Sequence, residues 1–234
     1  MDNNLVILIS GTSKGIGKCL AEHYISKNYS VIGCSRSVPD INAPNYKHFK
    51  IDINDEENVK AMMTCIKKDF KKLDVLINNA GVKLTTFAVL SSEQAIRESF
   101  NTNVIGAFLL CRESIKLMSK NKFGRIINMT SIAVPLASQG SAIYSATKAA
   151  LEQFSKVLAR EVAHDKITVN NIGLSFVKEG GMIDSVEESE RAKILENTLF
   201  KTETGMDDIT NAIDFLISPA SKMITGQTIY IGGV

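Results

Sequence analysis

Apolar runs of strand length, LVILIS, SVIGCS, LDVLINN, GRIINMTS, ITVNNIG and TIYIGG, recur along this chain with longer amphipathic segments between them. Most of these runs are apolar at successive positions, which suits strands covered on both faces, as in a parallel sheet flanked by helices. The stretches KGIGKCLAEHYISKN, DEENVKAMMTCIKKDFKK and ATKAALEQFSKVLAREVAHD read as helices. In the last of them Ala150, Leu151, Phe154, Val157 and Leu158 recur at steps of three and four, with charges between. Alternation of strand and helix predicts βαβ units, and their right-handed crossovers build an α/β doubly wound sheet. No Pro- or Ser-rich linker divides the 234 residues, so a single domain over 1–234 is expected.

Composition narrows the partners. Hydrophobic residues make up 44% and charged residues 22%, and the net charge of +2 gives no broad pull toward nucleic acid. A small molecule or another protein is the expected partner. Cys19, Cys34, Cys65 and Cys111 contain no C-x-x-C pair and stand apart from the histidines, so free thiols and no metal site are expected. The N-terminus MDNNLVILISG has no basic region, and no stretch approaches the ~20 apolar residues that span a bilayer. The expected location is the cytoplasm, with no membrane contact.

SGTSKGIG, residues 10–17, places Gly11, Gly15 and Gly17 where the first strand stops and a helix begins. Residues without a Cβ let the backbone turn sharply and approach a diphosphate, whose charge meets the positive end of the helix. In isolation such a turn serves equally to pack a strand on its helix. The second strand ends in Ser35 and Arg36, with no carboxylate until Asp40, and Lys14 adds a cation within the turn. A nucleotide site for NAD places an acid near this point to bind the ribose hydroxyls, whereas an arginine suits a 2′-phosphate. The pattern therefore favours NADP(H) over NAD(H).

Tyr144 and Lys148, in SAIYSATKAALEQF, stand four residues apart on one helix face, and Ser131 ends the strand GRIINMTS upstream. Singly, each has a plain structural reading: a strand-end cap for Ser131, an amphipathic core residue for Tyr144, a solvated charge for Lys148. Taken in order, SGTSKGIG, NNAG at 78–81, Asn103 in NVIG, Ser131 and YSATK at 144–148 resemble the short-chain dehydrogenase/reductase family, over residues 5 to 233. The resemblance implies a single-domain Rossmann fold with a seven-stranded parallel sheet and helices on both faces. It also implies hydride transfer between a nicotinamide cofactor and a carbonyl or alcohol. Tyr144 would be the acid that protonates the carbonyl oxygen, with Lys148 lowering its pKa and binding the nicotinamide ribose. Ser131 would donate to the substrate oxygen, and Asn103 would hold a water linking Lys148 to solvent. The cofactor set would be Gly11, Ser13, Lys14, Gly15, Ile16, Gly17, Ser35, Arg36, Asp52, Ile53, Asn79, Ala80 and Gly81, with Tyr144 and Lys148.

The chain departs from that family in places. Leu174 and Ser175 stand where a Pro-Gly pair is common, Glu179 where a threonine is, and Ile231 where an aspartate precedes Gly-Gly. Residues 174–206 form a divergent substrate loop, with a short helix expected around EESERAKILENTL. The leading expectation is an NADPH-dependent carbonyl reductase, in general pattern like 3-oxoacyl-acyl-carrier-protein reductases, acting on a small or carrier-bound carbonyl substrate. The alternatives are a sugar or polyol dehydrogenase of the same family and a non-catalytic NADP-binding sensor or scaffold. The resemblance also implies a homo-oligomer, a dimer or tetramer, since that family often pairs the helices that here lie around ESFNTNVIGAFLLCRESIKLM and ATKAALEQFSKVLAREV.

Overall fold

A computed structural model describes residues 5–178, 191–192 and 195–234. The strands are β1 (Val6–Ser10), β2 (Ser30–Ser35), β3 (Tyr46–Lys50), β4 (Val75–Asn78), β5 (Gly124–Ser131), β6 (Ile167–Leu174) and β7 (Thr228–Tyr230). They form one seven-stranded sheet in the order β3-β2-β1-β4-β5-β6-β7, and every pairing is parallel. Around it lie α1 (Gly15–Ser26), α2 (Glu56–Phe70), α3 (Glu93–Phe100), α4 (Ala107–Asn121), α5 (Ala133–Leu136), α6 (Ala142–Val162) and α7 (Met206–Ile217). This is the doubly wound α/β architecture that the sequence alternation predicts.

The unbroken apolar runs have a direct cause. Along β1, Val6 and Leu8 enter one core while Ile7 and Ile9 enter the other, so both faces of the strand need aliphatic side chains. The first core is closed by α2, α4 and α6 through residues such as Met62, Ile66, Leu110, Met118 and Leu158. The second is closed by α1 and α7 through Leu20, Tyr24, Ile209 and Ile213. The N-terminus of α2 is fixed by Asp55, whose carboxylate accepts from the N–H groups of Glu57 (2.9 Å) and Asn58 (3.2 Å), a cap worth ~1 kcal/mol.

The α6 stripe differs from the sequence expectation. Leu151 and Leu158 are buried, but Val157 is 46% exposed. Phe154 turns with it and meets Phe108 of α4, their ring centroids 4.9 Å apart. The helix has two apolar faces, one on the sheet and one outward.

A thread of buried side-chain hydrogen bonds crosses the sheet below its carboxyl edge. Asn78 of β4 donates to Asn128 of β5 (2.8 Å), Asn128 to Ser155 of α6 (2.7 Å), Ser155 to Asn171 of β6 (2.6 Å), and Asn171 to Thr228 of β7 (3.0 Å). Asn128 and Asn171 thereby use both ends of their amides, where an orphan would cost roughly 1–3 kcal/mol, while Asn78 uses its Nδ2 and its Oδ1 is left without a partner.

The order of strands reverses between β1 and β4, because β2 and β3 lie on one side of β1 and β4 on the other. At such a reversal the loops leave in opposite directions and open a crevice at the carboxyl ends. Of the short helix expected around 187–199, the described residues 191–192 and 195–196 are helical and 197–199 are turn and bend, so the helix ends earlier than expected; 187–190 and 193–194 lie outside the described residues.

Candidate active site

A cavity of about 690 Å³ opens in that crevice. Its wall takes Gly11, Ser13, Lys14, Gly15, Ile16 and Gly17 from the β1–α1 turn, Ser35 and Arg36 from the end of β2, and Asp52 and Ile53 from beyond β3. Asn79, Ala80 and Gly81 follow β4, Ser131 ends β5, and Tyr144 and Lys148 come from α6. The sequence-expected residues thus share one cavity, with one exception: Asn103 is 1% exposed and stands behind the wall.

The turn needs its glycines. Gly11 and Gly15 have φ of +76° and +57°, a region that costs other residues roughly 1–2 kcal/mol. A Cβ on Gly17 would lie 2.2 Å from the Gly11 carbonyl oxygen, and one on Gly11 2.9 Å from Ala80 Cα. Asn79 stitches the turn to β4: its side chain donates to the carbonyls of Ser10 (3.0 Å) and Gly11 (3.3 Å). The N–H groups of Asn79 and Ala80 donate in return to Ser10 Oγ, at 3.1 and 3.0 Å. Lys14 caps α1 in extended conformation with no side-chain cap bond, and the first turn carries no acid. The leading N–H groups and the helix dipole therefore face the cavity without a competing anion. This cradle fits the diphosphate of a dinucleotide.

At the other end, Tyr144 and Lys148 sit one turn apart on α6, buried to 8% and 5% exposure. Ser131 Oγ accepts from the Ala133 N–H at 3.1 Å and hydrogen-bonds the Tyr144 hydroxyl. Lys148 Nζ donates to the Met129 carbonyl of β5 at 2.8 Å and lies 5.7 Å from the centroid of the Tyr144 ring. Burial governs the electrostatics of this pair. Burial pushes the Tyr144 phenol above its ordinary value, only partly offset by Ser131, and burial pulls Lys148 down to about 8. Desolvation, not the ammonium, dominates the tyrosine here, because Lys148 is turned toward a backbone carbonyl.

Asn103 lies in a π-helical turn, Asn101–Gly106, between α3 and α4. Its Oδ1 accepts from the Val82 N–H (2.8 Å), and its Nδ2 donates to the Val82 carbonyl (2.9 Å) and to Thr147 Oγ1 (3.0 Å). Thr147 donates on to the Tyr144 carbonyl at 2.7 Å. The amide thereby ties the loop after β4 to the turn of α6 that carries the tyrosine. A Cβ on Gly81 would stand 3.2 Å from Asn103 Oδ1 and 3.5 Å from Lys148 Nζ, so this glycine keeps the two in reach of the cavity.

Leu174 and Ser175 form part of the wall, and the Leu174 carbonyl accepts from the Ile132 N–H at 3.0 Å. Ile231 pairs its N–H with the Gly173 carbonyl at 2.9 Å and packs against the α1/α7 core, a site with no use for a carboxylate. Glu179 lies outside the described residues. Sequence reasoning missed Lys83, Thr85, Ser138, Gln139 and Phe176, which also line the cavity; Lys83 Nζ stands 5.3 Å above the Phe176 ring. Their only sequence signal is position: they flank NNAG, the start of α6 and the divergent loop. Among the described residues no cluster of His, Cys, Asp and Glu could hold a metal, and no helix is long and apolar enough to cross a membrane.

Comparison with known proteins places this geometry among relatives. A family model described as short chain dehydrogenase matches residues 5–191. The 3-oxoacyl-[acyl-carrier-protein] reductase FabG of Escherichia coli (strain K12) is 32% identical over 234 residues, covering 97% of this chain and 96% of that protein. A solved structure of ElxO with NADP bound superposes with a TM-score of 0.89 at 29% identity, over 97% of each chain. That of 4-hydroxyisoleucine dehydrogenase complexed with NADH gives a TM-score of 0.86 at 28% identity, over 98% of each.

Proposed function

This chain belongs to the short-chain dehydrogenase family and is, as such, an NAD(P)-dependent oxidoreductase; from that premise we propose that it is an NADPH-dependent carbonyl reductase with Tyr144 as its proton donor. The observation that carries the reading is the placement of Ser131, Tyr144 and Lys148 in the same cavity as the uncapped N-terminus of α1.

The residues divide the work. The leading N–H groups of α1 hold the cofactor diphosphate, and Arg36 with Ser35 and Lys14 meets a 2′-phosphate at the end of β2. The nicotinamide cofactor supplies the hydride. Tyr144 passes its proton to the carbonyl oxygen, and Ser131, whose own oxygen already accepts from Ala133, donates to that oxygen as charge develops. A phenol held above its ordinary pKa by burial is protonated at neutral pH, which suits reduction; oxidation of an alcohol needs the phenolate and gains as pH rises. Lys148, beside Gly81, would bind the cofactor ribose, and Asn103 positions Tyr144 through Thr147.

The substrate class follows the FabG relative, a 3-oxoacyl thioester on a carrier, with Leu136, Ile132 and Phe176 as apolar wall. The polar side chains of Thr85, Ser138, Gln139 and Ser141 in the same wall favour the second reading, a sugar or polyol dehydrogenase. Neither reading involves nucleic acid or membrane. The four cysteines form no disulfide, which supports a cytoplasmic setting.

Steady-state assays with NADPH against panels of 3-oxoacyl thioesters and ketosugars test the reading. Turnover of thioesters is the expected result, and turnover of sugars alone overturns it. Tyr144→Phe lowers kcat by ~10³-fold or more while leaving NADPH binding within about 3-fold. Unchanged turnover in that variant rejects Tyr144 as the acid, whereas NADPH binding by a parent that turns over no member of either panel leaves a non-catalytic NADP-binding protein as the alternative.

A further inference from the structure

Behind the glycine turn lies a polar cluster that neither the cavity wall nor the hydride chemistry uses. The Tyr46 hydroxyl, on β3, stands 3.2 Å from Thr12 Oγ1 in the turn and 3.0 Å from His48 Nδ1. The other edge of the imidazole faces the end of β2, with Nε2 3.4 Å from Ser35 Oγ; the backbone of Ser37 and Ser35 also bonds the ring. Ser35 Oγ donates its proton to the Ser37 carbonyl at 2.7 Å, so toward His48 it offers a lone pair. That assigns the ring proton to Nε2 and leaves Nδ1 as an acceptor, 3.5 Å from the Thr12 hydroxyl, which in turn accepts from Tyr46. Burial holds the imidazole below its ordinary pKa, which keeps this one-donor, one-acceptor form at neutral pH.

The sheet is built to admit the cluster. His48 pairs with Gly33 in the β2–β3 register. A Cβ on Gly33 would lie 2.1 Å from the Tyr46 hydroxyl oxygen and 2.5 Å from Thr12 Oγ1. The phenol tip therefore fills the space that any other residue of β2 would take, and Thr12 is fully buried against it. One end of the chain of contacts is the turn that cradles the diphosphate. The other is the segment Ser35–Arg36–Ser37, whose side chains line the far end of the same cavity.

We infer that Thr12, Tyr46 and His48 act as positioning residues that fix the β2 end relative to the glycine turn, and so set the preference between 2′-phosphorylated and unphosphorylated adenosine. The inference rests on the NADPH reading above. A diphosphate bound at the turn leaves the adenosine ribose wherever the cofactor's own length puts it. The grip on a 2′-phosphate then depends on how well Ser35 and Arg36 are held at that distance, since hydrogen bonds to phosphate decay steeply with misplacement. Ligands lacking the phosphate do not feel that displacement.

Calorimetric titration of the full chain with adenosine 2′,5′-bisphosphate and with ADP tests this without any turnover. Tyr46→Phe and His48→Leu are expected to weaken the bisphosphate about 10-fold and ADP by less than about 2-fold. The double variant is expected to lose no more than either single, because the contacts form one chain. His48→Gln, whose amide offers both an acceptor and a donor, is expected to restore most of the preference. Equal weakening of both ligands, or an unchanged ratio in folded Tyr46→Phe, overturns the inference. If the unmodified chain shows no preference for the bisphosphate, the NADPH reading falls instead; a ratio that still moves in the variants upholds the positioning role, and one that does not removes both.

Discussion

Lys148 holds a charge where water barely reaches it. Its pKa falls from an ordinary 10.5 to about 8 on burial, so below pH 8 the folded chain carries an ammonium that the unfolded chain solvates better. Between pH 8 and 10.5 the unfolded state binds more protons than the folded one, and this contribution to stability rises with pH. Lys148→Met is therefore expected to be more stable than the parent at pH 7 by ~2 kcal/mol, the relief of charge burial less the lost bond to the Met129 carbonyl. The gap should close toward pH 11, roughly, as the parent loses its ammonium. Thermal melts at several pH values read this directly, and a variant less stable at every pH contradicts it. Arg36 is the opposite kind of residue, exposed at the end of β2. Arg36→Asp is expected to weaken NADPH binding ~100-fold and NADH binding less than ~3-fold; equal losses count against a 2′-phosphate contact.

The β1–α1 unit makes its own prediction. Since a Cβ on Gly17 meets the Gly11 carbonyl oxygen at 2.2 Å, Gly17→Ala must open the turn and withdraw the N–H groups of α1. Cofactor affinity, followed by NADPH fluorescence, is expected to fall about 100-fold, with the helix intact by circular dichroism. Elements of this kind were legible in the sequence because their cause is local. A strand buried on two faces reads as a run, and Ser35 and Arg36 announce themselves where the run stops. The π turn at Asn101–Gly106 has no such mark: Asn103 finds its partners 21 and 44 residues away, at Val82 and Thr147. Val157 misled for another reason, since apolar periodicity reports that a helix has a covered face but not how many. The shift of Tyr144 also escaped the sequence, because spacing places a lysine near a tyrosine without saying which way its amine turns.

On the scale of the whole molecule, the π turn, α4 and α6 expose Ile105 (47%), Phe108 (45%) and Val157 (46%) respectively. A cluster of this kind is costly to leave in water. The chain is expected to self-associate through it across a two-fold axis, and Phe108→Glu to shift sedimentation toward the monomer; a monomeric parent at micromolar concentration contradicts this. The thread from Asn78 to Thr228 has a different consequence, for how the sheet finds its alignment. Parallel strands joined by long crossovers have no hairpin to set their offset, and aliphatic contacts discriminate poorly between neighbouring offsets. Slide β5 by a single position and Asn128 turns into oil while an isoleucine confronts two amides. The asparagines thus act as a key cut into the middle of the sheet, one that only the native alignment of β4, β5, β6 and β7 can turn.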